Sequence, residues 1–182
     1  KDVAIKAMRY EKNIITEKPL SNNMLDALEI NEQTKRHNII HMVSQQRRFS
    51  KLVRTTKEII TQNHIGRIRQ IDLSFFREWA NLPNTHYVKE PYMFLQDMVC
   101  HHFDFIRYLL DLEPTTVKTI SWNLPWGWHK GDASHLVLFK FPNDCKFIHR
   151  GVGCSYGLQT DWHGDCRFEG EFGSINWKDG NI

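Results

Sequence analysis

Two short apolar runs, Asn13–Thr16 (NIIT) and Ile39–Val43 (IIHMV), stand one helix-length apart and constrain this sequence more than any other feature. Runs of this size read as strands. Between them Ser21 or Asn22 can cap a helix carrying Leu25, Leu28 and Ile30 on its apolar side. Strand, helix and strand at this spacing make a βαβ unit, whose strands are parallel and joined by a right-handed crossover. The first strand stops at Glu17-Lys18-Pro19. A lysine at the C-terminal end of a parallel strand lies where open α/β folds bind ligands, in the crevice beyond the strand ends. The same residues also read as ordinary loop charges followed by a strand-ending proline.

The pattern changes after residue 45. Ser50 can cap a second helix with Leu52, Val53, Ile59 and Ile60 on one side, closed near Gly66. From Arg69 the period becomes two, with Ile71, Leu73 and Phe75 alternating with Gln70, Asp72 and Ser74. An irregular stretch over residues 80–92 leads into a long helical run from Met93 to Leu110. Beyond it the sequence reads as strands and turns: Thr116–Trp122, His135–Phe141, a Pro142-Asn143-Asp144 turn, Lys146–Cys154, Cys166–Glu169 and Ser174–Trp177. The expected fold is therefore an α/β unit over residues 1–45. An α+β domain with an open, mostly antiparallel sheet follows over 46–182. The opening Lys1-Asp2-Val3-Ala4-Ile5 reads as helix interior, so the sequence is expected to be a piece of a longer protein.

The helical run is the most informative segment. At about 100° per residue, Asp97, His101, Asp104 and Tyr108 fall within an arc of roughly 60°. Leu95, Met98, Val99, Phe105, Ile106 and Leu109 cover the remainder. One reading makes the stripe the solvent face of an amphipathic helix. The other makes it a site, because the stripe holds two Asp, a His and a Tyr where surface helices carry Lys and Glu. Asp97, one turn before His101, can orient the imidazole and raise its pKa, as a proton-transferring histidine requires. His102 points about 100° away and reads as a core or interface histidine. No third histidine or cysteine completes a metal site with Asp97, His101 and Asp104, so no metal is expected.

Composition excludes several classes. The 182 residues carry 24 basic and 21 acidic side chains without a charge run, and Gln45-Gln46-Arg47-Arg48-Phe49 is too short for a nucleic-acid stripe. No apolar run approaches the ~20 residues of a membrane helix, and no signal-peptide pattern is present. Cys100, Cys145, Cys154 and Cys166 lack zinc-finger spacing and read as reduced core residues of a cytoplasmic protein.

Glu17-Lys18-Pro19 together with Asp97-x-x-x-His101-x-x-Asp104 resembles the Gfo/Idh/MocA family of NAD(P)-dependent oxidoreductases. Arg48-Phe49, Ile65-Gly66-Arg67-Ile68, Arg107-Tyr108-Leu109-Leu110-Asp111 and Gly170-Glu171-Phe172-Gly173-Ser174-Ile175 follow in the family's order, so the resemblance runs through the whole chain. It implies that residues 1–45 are the C-terminal remnant of a Rossmann domain. It implies that 46–182 form an incomplete substrate, catalytic and oligomerisation domain. Lys18, Asp97 and His101 would be catalytic and substrate-binding, and Glu17, Lys18, Pro19 and Arg48 would lie at the cofactor. Lys18 would hydrogen-bond the reacting oxygen, His101 would exchange its proton, and Asp97 would position both, with a cis Lys18–Pro19 bond fitting the motif. The implied cofactor is NAD or NADP, the substrate a sugar or polyol, and the assembly a homo-oligomer (dimer or tetramer).

Two departures stand out. Val99 occupies a position where members often have a small residue, and no Gly-x-Gly-x-x-Gly occurs in the sequence, so this stretch alone is expected to be inactive. The competing reading is a non-catalytic carbohydrate-binding or assembly module using its open sheet face. Its basis is the cluster Trp122, Trp126 and Trp128.

Overall fold

Backbone hydrogen bonds join β1 (Ile14–Thr16) to β2 (His41–Val43) in parallel register, Ile14 opposite His41 and Thr16 opposite Val43, in the computed structural model, which describes residues 1–79 and 88–182. These strands, with α1 (Asp2–Arg9) and α2 (Met24–Arg36), form the unit Lys1–Gln46. Asn23 begins α2, its Oδ1 accepting from the Asp26 N–H at 2.9 Å, one residue beyond the expected cap. The buried side of α2 is Ile30, backed by Ile5 and Met8 of α1, whereas Leu25 and Leu28 are exposed. Leu28 lies about 200° around the helix from Ile30, so the two cannot share a face. Thr34, one turn after Ile30, approaches His41 Nδ1 at 3.3 Å, and His41 Nε2 meets the Thr16 hydroxyl at 3.0 Å. Alternate side chains of the strand pair differ accordingly: Ile14 and Thr16 are half-buried, while Ile15 is exposed rather than buried as its run suggests. The Lys18–Pro19 peptide following β1 is cis.

The second unit is Arg47–Ile182. A short 3-10 turn (Gln46–Phe49) precedes α3 (Lys51–Thr61), whose N-terminus is capped by Ser50 Oγ accepting from the Val53 N–H. Gly66 does not close this helix, which ends at Thr61. Its φ of +71° instead shapes the turn into β3, where a Cβ would lie 3.0 Å from Glu171 Cβ. The strands β3 (Ile68–Phe76), β4 (Thr116–Trp122), β5 (Ser134–Lys140), β6 (Lys146–Val152), β7 (Asp165–Gly170) and β8 (Ser174–Trp177) form one open sheet in the order β4-β5-β6-β3-β7-β8. β3 and β6 run parallel, and the other neighbours pair antiparallel. The irregular segment expected over 80–92 lies, for residues 80–87, outside the described residues.

Ile71, Leu73 and Phe75 put the dry face of β3 against Val53 of α3 and Phe105, Ile106 and Leu109 of the long downstream helix, α4 (Cys100–Leu110). Trp177 closes the far end, its indole N–H donating to Thr56 Oγ1 at 2.8 Å with both residues buried. No helix among the described residues is long and apolar enough to cross a membrane.

The core also holds three histidines in a hydrogen-bonded row. His102 Nδ1 meets His149 Nε2 at 2.9 Å and His149 Nδ1 meets His135 Nε2 at 2.9 Å, all three rings being at most 1% exposed. Burial lowers their affinity for protons: His102 is pulled down to about 3, His135 to about 4, and His149 well below its ordinary value. Unfolded histidine titrates near pH 6.5. Between about pH 6.5 and 4 the unfolded chain therefore binds up to three protons that the folded chain refuses. Stability is complete above pH 6.5 and falls below it by up to about 1.4 kcal/mol per pH unit for each ring. Thermal melts at pH 7.5 and pH 5.0 are expected to differ by more than about 5 °C, the acidic sample melting first. Equal midpoints would show that the rings are not held neutral.

Candidate active site

Met93–Leu110 is not one α-helix. Phe94–Val99 winds as a π turn, and α4 starts at Cys100. Hydrogen bonds in a π turn reach five residues along, so the 100° rotation behind the expected stripe does not hold through Asp97. His101 and Asp104, both within α4, keep true α-helical spacing. π turns inside helices recur at functional sites, and here the turn carries Asp97.

Burial bears on the solvent-face reading of the stripe. His101 is 3% and Asp104 7% exposed, while Asp97 and Tyr108 are half-buried. The solvent-face reading fails on these values. The wet side of α4 begins instead at Arg107, whose guanidinium pairs with Glu113.

A buried carboxylate at Asp104 needs a partner, and Arg48 provides it from 56 residues upstream. Arg48 Nε donates to Oδ2 at 2.5 Å and Nη2 to Oδ1 at 2.6 Å, a two-pronged fit of planar guanidinium to carboxylate. Asp104 holds the Arg48 pKa above its usual value, against the opposing effect of burial. Tyr108 adds its ring 5.6 Å from the Arg48 guanidinium carbon, and Lys57 Nζ donates to the Tyr108 and Leu109 carbonyls at the end of α4. The lysine thus satisfies carbonyls that a helix terminus leaves open.

Of the residues singled out in the sequence, Arg48, Asp97 and His101 lie in this unit. Arg48 engages Asp104 through Nε and Nη2. Glu17, Lys18 and Pro19 belong to the first unit, where Glu17 is exposed and Lys18 and Pro19 are half-buried directly beyond β1.

Sequence reasoning passed over the surroundings of Trp162. Arg77 places its guanidinium carbon 4.0 Å from the indole centroid and donates from Nη1 to the Thr160 carbonyl, while Arg47 lies 5.8 Å from the same ring. Burial lowers the Arg47 pKa, and Asp161 opposes that fall. Burial also pushes Asp161 up, but hydrogen bonds from the His163 backbone and ring outweigh it and hold the carboxyl below its ordinary range. Nothing in the spacing of Arg47, Arg77 and Trp162 announces their meeting, because a 3-10 turn and two separate loops supply them.

Comparison with known proteins shows the family to which the chain belongs. A family model described as the GFO/IDH/MocA C-terminal domain matches residues 53–176. An uncharacterised protein, y4oX, of Sinorhizobium fredii is 25% identical over 175 residues, which is 92% of this chain and 48% of that protein. The scyllo-inositol 2-dehydrogenase (NAD(+)) of Bacillus subtilis is 30% identical over 117 residues, 64% of this chain and 34% of that enzyme. The crystal structure of an oxidoreductase from Agrobacterium radiobacter in complex with NAD+, L-tartaric acid and magnesium superposes with a TM-score of 0.88 at 18% identity. That match covers 99% of this chain and 53% of the other, and shows a shared fold. The chain thus spans about half or less of the length of these relatives. With the family model matching more than half of its residues, including Asp97, His101 and Asp104, the chain belongs to the GFO/IDH/MocA family.

Proposed function

We infer that this chain is part of an NAD(P)-dependent oxidoreductase that moves a hydride between a nicotinamide and a sugar, polyol or sugar derivative. The observation that carries this is a buried histidine, His101, one turn from Asp97, on a helix whose inner carboxylate Asp104 is locked by Arg48. A relative of the same family, the Bacillus subtilis enzyme, is named as an NAD(+) dehydrogenase of an inositol, which supports the substrate class. Members of one fold host many chemistries, so the residues, not the fold, bear the weight of this reading.

The nicotinamide supplies the hydride acceptor when bound. The residues here fit its reacting end in part: a parallel strand, β1, ends at Thr16, two residues before Lys18, as strands do at ligand crevices, while the sequence holds no Gly-x-Gly-x-x-Gly cradle. Glu17 and Pro19 flank Lys18, and these three residues with Arg48 are the ones that would hold the cofactor's reacting end. Oxidising an alcohol creates negative charge on its oxygen and releases a proton. Lys18, as an ammonium donor, stabilises the developing alkoxide, and His101 takes the proton in its neutral form. Asp97 orients the substrate and the imidazole.

The open sheet face supports self-association. Ile120 and Trp122 of β4 and Leu136 of β5 stand on one face with Arg150 and Asp72, and the three apolar side chains are 66%, 40% and 39% exposed. Such a patch of apolar side chains rimmed by charges fits a twofold interface with a second copy.

In the intact protein, Lys18→Ala and His101→Asn are each expected to lower turnover with NAD+ or NADP+ and a polyol by at least about 10²-fold, with both variants still folded by circular dichroism. Wild-type activity in either variant would remove that residue from the chemistry. Sedimentation equilibrium is expected to give a dimer or larger, and Ile120→Glu to shift it toward monomer. A wild-type monomer at every concentration would contradict the role given to the sheet face.

A further inference from the structure

The three-histidine row runs from His102 of α4 through His149 of β6 to His135 of β5. Its hydrogen bonds have a fixed direction. The Trp162 carbonyl can only accept, so His102 Nε2, 3.1 Å away, must donate. A neutral imidazole carries one N–H, which makes His102 Nδ1 an acceptor and His149 Nε2 its donor. The same step makes His149 Nδ1 the acceptor of the His135 Nε2 proton. All three rings are therefore the Nε2–H tautomer, and the row ends on His135 Nδ1, which has no hydrogen-bond partner among the described residues. Reversing one ring would set two donors or two acceptors against each other in a buried space, so the row behaves as one piece.

The surroundings are built to receive it. Gly151 faces His135 across the β5–β6 pair, and a Cβ at that glycine would lie 2.3 Å from His135 Cε1. Phe94 of the π turn lies against His135 with ring centres 5.8 Å apart and stacks on Phe75 at 5.1 Å. Phe75 also meets His102 edge-on at 4.5 Å. The row thus ties β5 and β6 to α4 through His102 and supports the π turn through Phe94. His101 is the residue before His102, and Asp97 lies in that turn.

We propose that His149 and His135 are positioning residues for His101, holding α4 at one rotation about its axis through the two nitrogens of His102. An imidazole nitrogen stands ~6–7 Å from its helix axis, so a ~10° roll would move it by ~1 Å. Displacements of that size can cost about 10²-fold in rate. His102 is held at both ends of its ring, by Trp162 and by His149, and α4 cannot turn without breaking one of these bonds. The assignment rests on the reading of His101 as the proton-transferring residue.

The test has two arms. Long-range proton–nitrogen NMR on this chain at pH 7 is expected to show three histidines as neutral Nε2–H tautomers. The His101 ring signals are expected to shift in His149→Gln and His135→Phe. A ring of the row in the opposite tautomer, or His101 signals unmoved in folded variants, would overturn the proposal. In the intact enzyme, the same variants are expected to lose about 10- to 100-fold in kcat with KM within about threefold. Unchanged kcat in a folded variant would equally overturn it. Should His149→Gln fail to fold, His135→Phe decides, because it leaves both His102 bonds in place and removes only the last link. The NMR arm decides the coupling even where the enzymatic reading itself fails.

Discussion

Everything in the second unit depends on packing a helix with polar inner side chains against a sheet. α4 brings His101, His102 and Asp104 under cover beside Phe105, Ile106 and Leu109. Burying such groups unpaired would cost several kcal/mol each. The fold answers with dedicated partners: Arg48 for Asp104, Trp162 and His149 for His102. Removing Arg48 would leave a carboxylate stranded, which is why a short 3-10 turn far upstream in sequence is a structural element of the site. The apolar core around Phe75, Phe147 and Trp177 supplies most of the burial, and these polar bonds decide the one orientation in which α4 can be buried.

That constraint links fold to chemistry. A histidine acting as acid or base must be held within a fraction of an ångström, and a helix pinned on its inner side through the neighbouring His102 contributes to this. The π turn before α4 displaces Asp97 from the register an uninterrupted helix would impose. The sheet receives the helices on its dry face and leaves Ile120, Trp122 and Leu136 exposed on its open face.

Much of this was legible in the sequence where local rules act alone. The parallel β1–β2 pair follows from strand-helix-strand spacing, and the alternation of Ile71, Leu73 and Phe75 marks β3 as a one-sided strand. The open, mostly antiparallel sheet follows from the turn residues after it. What was not legible came from tertiary packing. Leu25 and Leu28 pattern as the apolar side of α2, yet Ile30 is the residue covered. Asp104 looked like part of a wet stripe because its partner, Arg48, is 56 residues away. The π turn has no composition signal. His135 and His149 could have been paired in advance: they flank a Pro142-Asn143-Asp144 turn at a spacing that puts both on one hairpin face, with His149 opposite Val137, two residues from His135.

In the proposed reaction His101 takes the proton when the alcohol is oxidised. The most direct measurement is the pH dependence of kcat/KM for alcohol oxidation by the intact protein, wild type against His101→Asn. Activity in the wild type should rise with pH along a limb of unit slope as the imidazole loses its proton, and the variant should be slower and lack that limb. The same limb, at the same pH, in the variant would place the proton acceptor elsewhere and contradict the account.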